Sequence, residues 1–424
     1  MKEAVIGFLG GGNIGGCVYR LLEDMKDEIA ARCGVSIRVK KVLVKDFESF
    51  IPNGIPESLL TIDRADVLKD PEITLVAEFM GGEHPAADFM LEALRNGKTA
   101  VTANKVALAL HWHELQAAAE EHGVGLYYEA SVGGAVPVIA TLQHSLQANR
   151  VDKLMSIING TTNYILSRMY KNGEDYSLVL RDAQALGLAE PDPTFDVEGM
   201  DAAYKLSIMA SLAFHGRVTY GKVYREGITR VTAEDIACGR EMGYVLKLLA
   251  IAKRDGEHVE ARVHPTFVPM DHPLANVDGS FNAVYLHGHS CEDMMLQGYG
   301  AGTPTASAVV SDILNAVTCA EHARPDFRVT AEADPSLDFT DDWETRYMIR
   351  IDAIDAPGVL AKVADCFAKE QVSIATMKQT GAAAKDRCVL VFITHRTHEQ
   401  AMRAAIRRLP PKLCRVESMI RVED

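Results

Sequence analysis

Apolar residues in the first third of the chain alternate between short unbroken runs and stretches of helical spacing. Residues 4–9 (Ala-Val-Ile-Gly-Phe-Leu) form one such run, which predicts a strand buried on both faces of a parallel sheet. Val18, Leu21, Leu22 and Met25 then recur at helical spacing. Further strands are predicted over 37–44, 73–79, 99–102 and 126–129, with helices over 85–96 and 106–122. This alternation predicts an α/β fold over residues 1–130, a Rossmann-type doubly wound parallel sheet.

Past residue 130 the pattern changes. Strands are predicted over 153–158, 260–268 and 282–287, and helices over 164–170, 178–186, 201–214 and 234–251. That mixture predicts an α+β domain over 131–303 carrying its own sheet. Residues 304–320 form an apolar helix expected to pack back on the first domain, and the polar, acidic stretch 321–345 reads as a linker. The closing module, 346–424, has strands at 346–354, 373–378, 387–394 and 412–422 and helices at 358–370 and 398–408. The order βαββαβ predicts a ferredoxin-like fold.

Composition narrows the class. The 424 residues carry 44 basic and 58 acidic side chains, a net charge of −14, which argues against a general nucleic-acid surface. The eight cysteines, at 17, 33, 238, 291, 319, 366, 388 and 414, form no Cys-x-x-Cys pair, so a zinc knuckle or redox dithiol is not expected. Scattered free thiols, a short apolar N-terminus that breaks into glycines, and no apolar run of about 18 residues predict a cytoplasmic protein without a membrane span.

Candidate chemistry sits where elements change. Gly10-x-Gly12-x-x-Gly15 follows the first strand and opens the first helix with Asn13 and Ile14, the place a dinucleotide fold uses for pyrophosphate. After the second strand come Lys45 and Asp46: the first would pair with a 2′-phosphate and favour NADP, the second with ribose hydroxyls and favour NAD. Thr102-Ala-Asn-Lys105 lies at the carboxyl edge of a strand, where an ammonium could face a reacting carbonyl or merely begin a solvated helix. Glu129 to Pro137 is a glycine-rich turn, by itself a domain hinge or a carbonyl-rich cation site. Residues 159–164 (Asn-Gly-Thr-Thr-Asn-Tyr) offer helix caps or polar pocket groups, and 298–304 form a second glycine-rich helix entry. The most informative segment is 190–205, in which four carboxylates, Glu190, Asp192, Asp196 and Glu198, precede Asp201 and Lys205. A helix beginning near Gly199 places Asp201 and Lys205 on one face. An ordinary surface pair of this kind is worth only about 0–1 kcal/mol.

Taken together, Gly10–Gly15, Thr102–Lys105, Glu129–Pro137, 159–166, 190–214 and 300–312 resemble homoserine dehydrogenase of the aspartate pathway, over almost the whole chain. The resemblance implies NAD(P)H-dependent reduction of L-aspartate 4-semialdehyde to L-homoserine in threonine and methionine biosynthesis. It implies Lys205 as proton donor and Lys105 as a second lysine at the reacting carbon. Glu190 would bind the substrate ammonium, with Asp201 and Asp196 orienting the site. NADP or NAD would be held by Gly10, Gly12, Asn13, Ile14, Gly15, Lys45, Thr102, Lys105 and Gly302. Glu129, Val132, Gly134 and Val136 resemble a monovalent-cation site for Na or K. The last 79 residues, with Asp355-Ala-Pro-Gly-Val-Leu, resemble an ACT domain that senses an amino acid, threonine first among the candidates. A homodimer or homotetramer is implied, with 131–303 as the substrate-binding, catalytic and dimerisation domain.

Two departures bear on the cofactor. Thr303 stands alone between Gly302 and Pro304 where many relatives have two residues, and 46–50 (Asp-Phe-Glu-Ser-Phe) lacks a further basic residue seen in many NADP users. Another amino-acid oxidoreductase on the same scaffold, such as an aspartate dehydrogenase, would not need the 190–205 block. A non-catalytic amino-acid-responsive regulator would not need Lys105, Lys205 and Glu190 together.

Overall fold

The computed structural model describes residues 2–46, 53–319, 324–381 and 386–423. The last four residues of the 46–50 departure, and the start of the expected linker, therefore lie outside the described residues.

The N-terminal sheet has six parallel strands, in the spatial order Leu60–Thr61, Val35–Leu43, Lys2–Leu9, Leu75–Glu78, Thr99–Thr102, Leu126–Tyr127. Strand order reverses between Lys2–Leu9 and Leu75–Glu78, and a crevice opens beyond their carboxyl ends, as in doubly wound sheets generally. Helices Asn13–Asp24 and Thr303–Thr318 share an apolar cluster with that sheet, through Val18 and Leu22 from one and Ala306, Val309 and Ile313 from the other. Helices Ala86–Arg95 and Lys105–His122 belong to a second cluster, with Met90, Leu94, Trp112 and Leu115 at its centre.

The second sheet runs through the rest of the chain. Its main path is Glu292–Tyr299, Phe281–Gly288, Val151–Ile157, Tyr244–Asp255, His258–Pro269, Cys414–Val422, Glu344–Ile354, Arg387–Thr394 and Ile374–Gly381. Its last four strands, with helices Val359–Lys369 and Glu399–Arg408, make the βαββαβ unit. That unit joins the preceding strands edge to edge, Thr266 opposite Arg421 and Phe267 opposite Val422.

Two expectations need correcting, and one strand was not expected. The helix expected over 234–251 is a helix only over Ala233–Glu241, opened by a capping box between Thr232 and Asp235. Gly243, at φ 87°, turns the chain, and Tyr244–Asp255 is a strand between Val151–Ile157 and His258–Pro269. Its run Val245–Ala252, apolar apart from Lys247, is buried throughout, and such a run does not distinguish a buried strand from a buried helix. The strand Glu292–Tyr299 had no apolar alternation to reveal it; pairing with Phe281–Gly288 creates it. The stretch 324–345 has more structure than its polarity predicts: Asp338–Phe339 pairs with the strand His258–Pro269, and Leu337 and Trp343 are buried.

Candidate active site

The Gly10–Gly15 turn has the three properties a dinucleotide cradle requires. Gly10 adopts φ 107°, a conformation open to glycine, and a Cβ there would press on the Phe79 backbone at 3.1 Å. A Cβ at Gly12 would meet nothing within 4 Å, so the open space lies on the ligand side. A Cβ at Gly15 would stand 2.6 Å from the Gly10 carbonyl oxygen, which shows how closely helix and strand approach. The residues present therefore fit a pyrophosphate seated against helix Asn13–Asp24.

Two clefts meet at Phe79 and Gly81. The larger, about 650 Å³, is lined by Gly10, Gly12, Val44, Lys45, Arg64 and Phe89 among others. The smaller, about 450 Å³, is lined by Ile14, Phe79, Gly82, Asn104, Lys105 and Phe195. Their shared wall is organised by Glu78, which is wholly buried at the end of its strand. Its carboxylate accepts hydrogen bonds from Thr102 Oγ1 and from the Met80 amide, both at 2.6 Å, and from Asn104 Nδ2 at 3.4 Å. Burial raises the Glu78 pKa despite these donors. Asn104 also caps helix Lys105–His122, accepting from the Val106 and Ala107 amides, while its Nδ2 holds the Gly82 carbonyl at 2.7 Å. That places Lys105 at the cleft wall, its Nζ 5.3 Å from the centre of the Phe195 ring.

Helix Met200–Ala213 begins after Gly199 and carries Asp201 and Lys205 on one face, as the spacing predicts. Asp201 is 4% exposed and lies between two ammonium groups: Lys205 Nζ at 2.6 Å from one oxygen and Lys105 Nζ at 3.2 Å from the other. Lys205 Nζ also donates to the Ile158 carbonyl at 2.9 Å. Asn159 Nδ2 donates to both Asp201 (3.0 Å) and Asp196 (2.8 Å), while its Oδ1 caps helix Gly160–Asn172. Burial opposes ionisation of Asp201, but the charges of Lys205 and Lys105 outweigh it and hold the carboxyl well below the usual range. The pKa of Asp196 moves the other way, raised by burial and then by the Asp201 charge.

The remaining expected residues are more dispersed. Glu190 is exposed, and its carboxylate has no partner among the described residues. Lys45 is exposed on the larger cleft. Thr102 is buried under Glu78 and positions it. Gly302 is exposed at the start of helix Thr303–Thr318, where Thr303 Oγ1 stands 4.0 Å from Cys17 Sγ of the first helix.

In the turn after Leu126–Tyr127, Glu129 accepts from the Ile139 and Ala140 amides at 2.9 and 2.6 Å. The Val136 carbonyl accepts from the Val138 amide, but among the described residues no donor reaches the buried carbonyls of Val132 and Gly134. A second buried carboxylate, Asp312, accepts from the Glu129 amide at 2.9 Å. Burial raises both carboxyls, and for Asp312 the charge of Glu129 adds to it. Unengaged carbonyl oxygens beside a buried acid are a donor set that fits a hard monovalent cation.

Glu78, Phe195 and Asp312 were not picked out as site residues from the sequence. The signal for Glu78 was present, an acid ending a strand otherwise buried on both faces; Phe195 and Asp312 acquire their places only through the fold. Among the described residues no helix is long and apolar enough to cross a membrane.

Comparison with known proteins identifies the family. Residues 10–129 match the family model described as homoserine dehydrogenase, NAD binding domain, and residues 137–314 match the model described as homoserine dehydrogenase. The homoserine dehydrogenase of Bacillus subtilis is 39% identical over 408 residues, covering 94% of this chain and 93% of its own. That of Pseudomonas aeruginosa is 41% identical over 423 residues, with 96% of each chain covered. The crystal structure of a homoserine dehydrogenase from Thiobacillus denitrificans superposes with a TM-score of 0.91 at 40% identity, covering 100% of this chain and 99% of that one. The chain thus belongs to the homoserine dehydrogenase family, the NAD(P)-dependent oxidoreductases that interconvert L-aspartate 4-semialdehyde and L-homoserine.

Proposed function

We propose that Lys205 is the acid that protonates the aldehyde oxygen of aspartate semialdehyde as it becomes an alkoxide, with Lys105 as the second positive charge at the reacting carbon. The observation that carries this reading is the Asp201 carboxylate shared by the two lysines. NAD(P)H, held by the Gly10–Gly15 turn, would supply the hydride. An ammonium has three N–H donors, and Lys205 commits one to Asp201 and one to Ile158. The third is left for the substrate oxygen, where a proton is needed only as negative charge develops. Asp201, ionised throughout the neutral range, holds both ammonium groups in place. Asn159 holds Asp201 and Asp196 in register, and the unpartnered Glu190 carboxylate supplies the counter-charge for the substrate ammonium.

The cofactor reading favours NADP, since Lys45 and Arg64 both line the larger cleft and each can meet a 2′-phosphate. The turn at Glu129, Val132, Gly134 and Val136 takes Na or K, which would offset the buried charge of Glu129 and Asp312. The βαββαβ unit at 346–424 is read as an ACT domain that lowers activity when threonine binds. The working form is read as a homodimer or homotetramer.

Lys205→Ala tests the central assignment. Turnover should fall by most of its value while NADPH still binds, as followed by fluorescence of the bound nucleotide. Near-normal kcat would reject the role. Initial rates with NADPH and NADH, each with and without threonine, test the cofactor and effector readings; equal kcat/KM for the two nucleotides, or no response to threonine, would remove the corresponding one.

A further inference from the structure

A second cluster of chemistry-bearing groups lies beside the clefts and plays no part in the reaction. Glu83 and His84 follow Gly81 and Gly82 in the loop after Leu75–Glu78, and His111 lies on helix Lys105–His122. His111 Nε2 is 2.9 Å from Glu83 Oε1, and His84 Nε2 is 3.5 Å from the same oxygen. Two ligand atoms bound to a tetrahedral zinc at about 2.0–2.1 Å would stand about 3.4 Å apart, so the three groups are already near coordination spacing.

Each ring is also held from behind. His84 Nδ1 meets Asp88 at 2.9 Å and His111 Nδ1 meets Glu114 at 3.2 Å. A proton on Nδ1 donated to a carboxylate leaves Nε2 with its lone pair directed at Glu83. This is the outer-shell pattern of metal-binding histidines. Both rings thus face an acid at each nitrogen, with Glu83 shared between the two Nε2 atoms. The loop and helix are joined independently by the Asn104–Gly82 hydrogen bond, which limits the reorganisation needed for binding.

We propose that Glu83, His84 and His111 bind one divalent transition-metal ion of the zinc type, with a coordination position left for solvent. His, His and carboxylate are the borderline ligands such ions prefer over Mg or Ca. Bound there, the ion ties residues 81–84 to helix Lys105–His122. Gly81 and Gly82 line the smaller cleft and His84 the larger, so the tie reaches the cofactor rather than the lysines.

The test is titration of the chelator-treated, full-length protein with ZnCl2 against a chromophoric chelator, with cysteines blocked to remove thiolate binding. Co2+ serves as the spectroscopic probe of coordination. Wild type should take up one tight equivalent; His111→Asn should weaken that equivalent at least about 100-fold, exceeding the 10–100-fold seen for outer-shell changes. His258→Asn, which removes an exposed histidine paired with Asp338, should leave it intact. Metal-free His111→Asn should keep wild-type turnover, and Zn2+ should change the KM for NADPH in wild type but not in His111→Asn. Equal zinc stoichiometry and affinity in wild type and His111→Asn would overturn the site. Zinc binding without any change in the wild-type KM for NADPH would overturn the tie.

Discussion

Replacing Asp201 with Asn isolates the charge that the proposed mechanism depends on. The amide keeps the shape of the side chain and its place beside Asn159, but removes the anion between Lys205 at 2.6 Å and Lys105 at 3.2 Å. At an effective dielectric of about 20, each contact represents about 5–6 kcal/mol of Coulombic attraction, most of it returned by desolvation. The lysine side chains are 12% and 31% exposed, so water can solvate them and the fold should survive. The two cations, no longer screened from each other, should lose their common orientation. We expect kcat to fall by roughly 10²–10³-fold, about 2.7–4 kcal/mol of transition-state stabilisation, with little change in the KM for NADPH. Steady-state rates of NADPH oxidation with aspartate semialdehyde, beside thermal melts of both proteins, make the comparison. A kcat within about threefold of wild type would refute the reasoning.

Gly12→Val fills the open side of the cradle, so the KM for NADPH should rise at least about tenfold with the melting temperature unchanged; calorimetric titration with NADPH checks it. Gly300→Ala puts a Cβ 2.1 Å from Asn282 Nδ2, whose hydrogen bond goes to the same Ile158 carbonyl that accepts from Lys205. A fall in kcat of about tenfold, larger than any change in KM, is expected from steady-state kinetics. Glu423 is buried between Lys253 at 2.7 Å and Arg262 at 2.6 Å, and its pKa is depressed to about 2: burial alone would raise it, and the two cations reverse that. A depressed carboxylate contributes stability above the unfolded-state value near pH 4.5, and this is lost as pH falls toward about 2. Glu423→Gln should therefore cost about 3 kcal/mol in urea denaturation at pH 7 and flatten the loss of stability between about pH 4.5 and 2.

Legibility followed the range of the interactions concerned. Lys2–Leu9, Leu75–Glu78 and Thr99–Thr102 could be read because they are largely buried, so each announces itself as a mostly apolar run bounded by glycine or a helix cap, whereas the two-residue strand Leu60–Thr61 gives no such signal. Helix Met200–Ala213 could be read because its first turn carries the spacing of Asp201 and Lys205. Tyr244–Asp255 could not, since the identity of its neighbours, rather than its own periodicity, makes it a strand.

The site divides along the same line. That Asp201 and Lys205 pair follows from helical geometry alone. That Lys105 joins them depends on Glu78 and Asn104, which fix the end of one strand to the start of one helix across the crevice. Neither residue carries chemistry of its own in the reaction, and a pattern search for acids and bases assigns them nothing. Glu78 stays buried with three donors because the loop it organises must hold one shape whether or not a ligand is present. In the proposed mechanism the lysines convert positive charge into catalysis only while that loop holds Lys105 within ion-pair distance of a carboxylate nearly a hundred residues away, so the rigidity of the crevice wall would be as much a part of the chemistry as the ammonium groups.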